Sequence, residues 1–222
     1  TEKELEEEIV QTIGMRDDIS LACFSGQNID RLVTFYRASI RCQRSFVVDI
    51  YTANVLAVLR KYARIPYPSG KYPNLKVFYP YWISKRLGDS GHEDMLYRFK
   101  QFKISRSDIE MQQSKLLMLV RPSMCSDLKK IDFTGGTFIY SMWKGYQQNR
   151  DMIRLLEFIK QRGMLQHHIH SSGHATIETL KKVVDVLRPG EVIPIHTFFP
   201  DEYQSLGVKI RCLNDGEVYW LD

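Results

Sequence analysis

Five of the six histidines of this 222-residue chain fall between positions 167 and 196. Imidazole is the side chain best suited both to hold zinc and to move protons near neutrality. His167, His168 and His170 precede Ser171-Ser172-Gly173-His174-Ala175, and His196 ends the run Ile193-Pro194-Ile195-His196. His168 and His170 form an HxH pair, but the positions that would complete an HxHxDH binuclear zinc signature hold Ser172 and Gly173. Alternation along an extended segment places His168 and His170 on one face and His167 on the other. His167 and His168 therefore read as hydrogen-bonded or half-exposed strand histidines, and His170 stays open between that role and a place in a site. A second polar cluster, Ser25-Gly26-Gln27-Asn28 with Arg31 beyond it, lies between an apolar run and a helix start. It has neither GxGxxG nor a P-loop lysine, so dinucleotide or ATP binding is not indicated. No GxSxG elbow or catalytic cysteine signature is present, which argues against serine and thiol hydrolases.

The elements that must position these residues follow an α/β grammar. Leu5, Ile9 and Ile13 mark a helix over 2–13, and Ile19–Phe24 is a short buried strand. Asn28 is a suitable N-cap for a helix through about Arg44. Ser45–Ile50 is a second buried strand, followed by a helix over 51–62. Further strands are expected at 77–79, 116–120, 137–142, 167–170 and 192–196, with helices over 93–103, 149–162 and 175–187. Asn214-Asp215-Gly216 suggests a hairpin. Strands without polar alternation, interleaved with helices, imply a parallel sheet covered on both faces. In such sheets ligands bind outside the carboxyl ends of the strands, where the loops carrying His174 and His196 would lie.

Composition narrows the class only modestly. A hydrophobic fraction of 44% supplies a core, and the net charge of +5 is mildly basic. The first eight residues contain five Glu and one Lys, so the rest of the chain is more basic than the total suggests, which suits an anionic substrate. Cys23, Cys42, Cys125 and Cys212 are scattered without a CxxC pair, so neither a cysteine zinc knuckle nor a disulfide scaffold is indicated. Free thiols in a reducing, cytoplasmic setting are the expectation. No stretch approaches the roughly 20 apolar residues of a bilayer span, so no membrane partner is expected. The acidic start is no signal peptide, and its lack of an initiator Met suggests a chain that begins mid-protein.

The segment His170-Ser171-Ser172-Gly173-His174-Ala175, a helix, then Pro189 and Ile193-Pro194-Ile195-His196 resembles the last two motifs of the β-CASP, ribonuclease J-like branch of the metallo-β-lactamase-fold hydrolases. The 22 residues from His174 to His196 agree with the family separation. Phe24-Ser25-Gly26-Gln27-Asn28-Ile29-Asp30-Arg31, followed by Ser45-Phe46-Val47-Val48-Asp49, resembles the opening of the β-CASP insert. Tyr140-Ser141-Met142-Trp143-Lys144-Gly145-Tyr146 is similar to a less characterised branch of the family.

The resemblance implies a parallel-sheet β-CASP-like α/β domain over 1–160, followed by the second part of a metallo-β-lactamase αββα sandwich over 161–222. It implies a zinc-dependent ribonuclease or phosphodiesterase of RNA metabolism. His174 would be the catalytic proton donor and His196 a metal ligand. Ser171, Ser172, Gly173, Ser25, Asn28 and Arg31 would bind substrate. The complete enzyme would hold two zinc ions. HxHxDH and the bridging Asp are absent here, and one ligand cannot hold a zinc. The chain alone is therefore expected to be inactive, its partners being RNA or DNA and a missing amino-terminal metallo-β-lactamase half, or a second copy in a homodimer.

Other readings remain. The scaffold would also suit a metal-free nucleic-acid-binding or regulatory module, or a metallo-hydrolase of small molecules. Arg37, Arg41 and Arg44 could form a basic stripe that tracks RNA, although a solvated helix face explains them as well. Aromatic density at Tyr72, Phe78, Tyr79, Tyr81 and Trp82 could offer stacking platforms, or could serve the core and anchor loops.

Overall fold

A computed structural model of the chain describes residues 1–171, 175–195 and 197–220. Thr1–Ser171 and Ser172–Asp222 are two compact units. The first is built on a six-stranded, wholly parallel sheet: β1 (Ser20–Cys23), β2 (Ser45–Asp49), β3 (Leu75–Phe78), β4 (Leu116–Leu119), β5 (Thr137–Tyr140) and β6 (Leu165–His168). Their spatial order is β3-β2-β4-β1-β5-β6. β6 lies beyond residue 160, where the sequence suggested a division, and pairs with β5 from Thr137↔Leu165 to Tyr140↔His168.

The helices segregate by the direction in which the chain moves. A right-handed crossover puts leftward connections on one face and rightward ones on the other. α1 (Glu2–Gly14), α2 (Ile29–Arg41) and α3 (Ile50–Leu59) pack on Ala22, Phe46, Val48, Leu117 and Ile139. The return path from β3 runs through α4 (Tyr81–Asp89), α5 (Glu93–Tyr97) and α6 (Arg106–Met111). α6, α7 (Cys125–Leu128) and α8 (Arg150–Gln161) cover the other face, on Leu21, Val47, Met118, Phe138 and Tyr140. Neighbouring residues of one strand thus enter different cores, and this is why the strands read as unbroken apolar runs.

Element limits differ from expectation for local reasons. The helix expected over 28–44 starts after Asn28, whose side chain caps it, and ends at Arg41, because Gln43 takes a left-handed φ of 55°. The segment 93–103 is not one helix: α5 ends at Tyr97 and a single tight turn occupies Lys100–Phe102. α4, α6 and α7 have no counterpart in the sequence reading. α4 buries no residue fully, and its apolar face is a single turn, Ile83 and Leu87, partly buried against the core.

In the second unit, α9 (Ile177–Leu187) is capped by Thr176 and stops at Arg188, which is left-handed at φ 46°. The strand expected at 192–196 is represented, among the described residues, by one bridge between Val192 and Ile210. The expected hairpin is a turn closed by Glu217 N donating to Asn214 O over 3.0 Å, without paired strands beside it among the described residues. Glu191 ties this unit together, meeting Arg211 at 2.9 Å and Lys209 at 3.2 Å and accepting from Tyr219 Oη. The Tyr219 hydroxyl, followed by Arg211, pulls the Glu191 carboxyl down to about 2.

Candidate functional site

β1 and β4 are adjacent, yet the chain leaves β1 toward α2 on one face and leaves β4 toward α7 on the other. Loops that part in this way open a crevice at the carboxyl end of a parallel sheet, the usual ligand position in open α/β folds. A cavity of about 330 Å³ occupies it, lined by Ser25, Gly26, Gln27, Tyr51, Arg121 and Met142 among others.

Arg121 dominates the crevice. Its Nε lies 2.7 Å from Oδ2 of the fully buried Asp49, and its Nη2 donates to Thr52 Oγ1 over 2.9 Å. Its guanidinium also lies over the Tyr51 ring, 5.0 Å from the centroid. Asp49 in turn caps α3 by accepting from Thr52 N at 2.7 Å. Gln27 Nε2 donates to Tyr51 Oη over 2.6 Å. A Cβ at Gly26 would meet Thr52 Oγ1 at 2.5 Å and Arg121 Nη2 at 2.8 Å, so the loop can approach this closely only as glycine. Two candidates from the sequence lie here. Ser25 is exposed at the mouth, its carbonyl accepting from Asn28 N, while the Asn28 side chain accepts from Arg31 N over 3.1 Å. Cys23 lines the floor, where burial pushes its thiol up to about 12, far from a reactive thiolate.

Arg31 sits beside the crevice, against the ends of β5 and β6. It is 2% exposed. Its Nη1 donates to Ser141 Oγ at 2.5 Å and to Ser141 O at 3.3 Å, and faces His170 Nδ1 at 3.3 Å. Its Nη2 donates to Ser171 Oγ at 3.0 Å and to Glu2 at 3.0 Å. Thr34 completes the group by donating to Glu2 Oε2 over 2.7 Å. All three guanidinium nitrogens therefore have protein acceptors, and the side chain clamps the exits of β5 and β6 to α1 and α2. Arg31 and Ser171, both expected to touch substrate, meet each other in this clamp.

His168 is the hydrogen-bonded strand histidine that alternation suggested. Its Nε2 lies 3.0 Å from Met142 O, and its ring stacks on Tyr140 with centroids 5.8 Å apart. His168 and His170 neighbour each other at 5.9 Å. Ser172, Gly173, His174 and His196 lie outside the described residues. Among the described residues, no group of three or more His, Cys, Asp or Glu is placed to hold a metal ion. No helix among them is long and apolar enough to cross a membrane.

The basic stripe does not form as a free surface. Arg41 is paired with Glu6 at 3.0 Å and Glu7 at 2.8 Å, and of these three arginines Arg37 faces solvent without such a pair among the described residues. Arg44 is buried and donates to the carbonyls of Ile13, Arg16, Asp18 and Leu116. Conversely, sequence reasoning passed over Asp49, Tyr51 and Arg121. Charged residues at or just past the ends of the apolar strands 45–49 and 116–120 were the available signal.

No known family's sequence profile matches the chain, and no curated protein matches it. Its fold is similar to that of a solved protein of unknown function from Enterococcus faecalis V583, with a TM-score of 0.68 and 16% identity. The likeness covers 98% of this chain and 45% of that protein, so the chain spans less than half of its length.

Proposed function

We propose that the chain is part of a zinc-dependent metallo-β-lactamase-fold hydrolase of the β-CASP, ribonuclease J-like kind, acting on phosphodiester bonds of RNA in the cytoplasm. The observation that carries the reading is the Arg31 clamp. A buried guanidinium holds His170 and Ser171, the residues that lead directly into Ser172-Gly173-His174, at the carboxyl edge of a parallel sheet. A histidine that protonates a leaving oxygen needs a firmly seated approach, and misplacement by about 1 Å costs on the order of a hundredfold in rate. The neighbouring crevice at the β1/β4 exits presents the Ser25 hydroxyl and the Asp49-paired Arg121, with no carboxylate among its lining residues.

His196 would supply one metal ligand. Among the described residues no group of three or more His, Cys, Asp or Glu is placed to hold a metal ion, and this reading assigns the remaining ligands to the other metallo-β-lactamase half. The second unit supports a missing partner surface: Phe198 is 96% exposed and Trp220 81%, with Val186, Leu187 and Ile195 also open. Apolar side chains in such number are ordinarily covered, in this reading by the β-CASP-like domain, by the other metallo-β-lactamase half or by a second copy.

The test is zinc content by plasma mass spectrometry, with hydrolysis of a single-stranded RNA, on the full-length protein and its His196→Ala and His174→Ala variants. The expected result is bound zinc that falls in His196→Ala, and zinc retained with hydrolysis lost in His174→Ala. Zinc unchanged by His196→Ala, or full hydrolysis in His174→Ala, would overturn the proposal.

A further inference from the structure

The carboxyl end of the edge strand β3 carries a second cavity, of about 380 Å³, away from the β1/β4 crevice. Tyr79, Tyr81 and Tyr97 line it together with Lys100, Lys103 and Arg106. Its size lies within the span of small-ligand sites, roughly 300–1,000 Å³.

The chain builds this cavity from two directions. Beyond β3 it runs through Tyr79 and Pro80 into α4, which starts at Tyr81. The return segment then lies alongside β3, with Ile104 N donating to Val77 O over 2.9 Å, and this brings Lys100, Lys103 and Arg106 to the strand exit. Asp127 fastens the rim. Its Oδ1 accepts from Tyr81 N at 3.1 Å and lies 3.4 Å from Arg106 Nη2.

Three features point to one kind of ligand. No carboxylate lines the cavity, and neither Lys100 nor Lys103 has an acidic partner among the described residues. Tyr81 and Tyr97 are 53% and 62% exposed, so aromatic rings stand at the surface beside Lys100 and beside Lys103, whose Nζ lies 5.2 Å from the Tyr79 ring centroid. Ser84 Oγ, in the lining, is buried without a hydrogen-bond partner. Anionic charge joined to a planar apolar group is the chemistry of a nucleotide, and aromatic rings read bases only where these are unstacked.

We infer that this cavity grips one nucleotide of a single-stranded nucleic acid, its base against Tyr81 and Tyr97 and its phosphate on Lys100, Lys103 and Arg106. The choice of nucleic acid over another planar anion rests on the nuclease reading. Binding at the cavity itself requires neither zinc nor hydrolysis.

The experiment is fluorescence anisotropy with a labelled oligouridylate of about ten nucleotides, in a chelating buffer and over a range of salt. It compares the wild type with Tyr97→Ala, Tyr97→Phe and a Lys100→Glu/Lys103→Glu variant, each first shown to melt like the wild type. Expected results are about tenfold weaker binding in Tyr97→Ala, with the salt slope kept and affinity restored by Tyr97→Phe. The lysine variant should lower the salt slope by about 1 to 2. A wild type that does not bind, or binding unaffected by Tyr97→Ala, would overturn the proposal, the latter by reducing the cavity to a polyanion patch. Because metal is chelated, loss of hydrolysis in the full-length protein would count against the nuclease reading and leave this result standing.

Discussion

Arg31 Nη1 lies 3.3 Å from His170 Nδ1, across 139 residues of chain. A guanidinium has only donors, so the imidazole nitrogen facing it accepts and the His170 proton sits on Nε2. One contact thereby sets the tautomer and ring orientation of the last histidine before Ser171 and the residues that follow it. The same arginine reaches back to Glu2 in α1, so the carboxyl edge of the sheet and the first helix form one polar unit.

Arg31→Met should therefore cost more than a surface substitution. It leaves Ser141 O and Ser171 O without their Arg31 donor and Glu2 with Thr34 alone, and removal of the buried member of a charged hydrogen-bonded network costs about 3 kcal/mol. Urea unfolding checks this, and a loss below about 1 kcal/mol would show that the network contributes little. Thr34→Val removes a single donor to Glu2 and should cost about 1 kcal/mol.

Acid should loosen the same unit in two stages. Burial, assisted by the Arg31 charge and by His168, keeps His170 below its ordinary value of 6.5, against the raising effect of the Ser141 carbonyl. Burial works to raise the Glu2 carboxyl, but hydrogen bonds from Arg31 and Thr34 and the Arg31 charge outweigh it and leave Glu2 below 4.5. Each group thus binds a proton more readily in the unfolded chain, and its contribution is present above the unfolded value and lost as pH falls toward the folded one. Thermal melts should show Tm level near neutrality, declining below about pH 6.5 and again below about pH 4.5. In Arg31→Met both declines should shrink. A Tm that rises on acidification through the histidine window would contradict this account.

Gly26→Ala tests the crevice. The added methyl would press on Thr52 Oγ1 and the Arg121 guanidinium, and Thr52 is a stiff, β-branched side chain held at the start of α3. Overpacking of this kind costs about 1–3 kcal/mol. Denaturant unfolding gives the cost, and displacement of Arg121 should also move Tyr51, visible as a changed near-ultraviolet dichroism.

Asp49 and Arg121 should be energetically coupled. Asp49→Asn keeps a capping oxygen for Thr52 N but removes the charge that faces Arg121. A double-mutant cycle with Arg121→Met should give a coupling of about 1–3 kcal/mol. Strict additivity of the two substitutions would mean that the pair does not act as a unit.

Local patterns determined a large part of the fold. The apolar runs at 19–24, 45–50 and 116–120, the Asn28 cap and the alternation that sets His168 beside His170 were legible because each depends on neighbours a few residues away. The Ser25–Asn28 turn was legible for the same reason, and so was its place at a strand exit. The tertiary structure decided what long-range pairing alone can decide. Strand order put β4 between β2 and β1, and this brought Arg121 to Asp49 and opened the crevice. Arg31 was expected to bind substrate, and Arg41 and Arg44 to share a basic stripe. Packing made the first a buried clamp, paired the second with Glu6 and Glu7, and turned the third into a donor to four carbonyls. A sequence records the charge of an arginine; the acceptors that surround it are gathered from distant segments only when the sheet assembles.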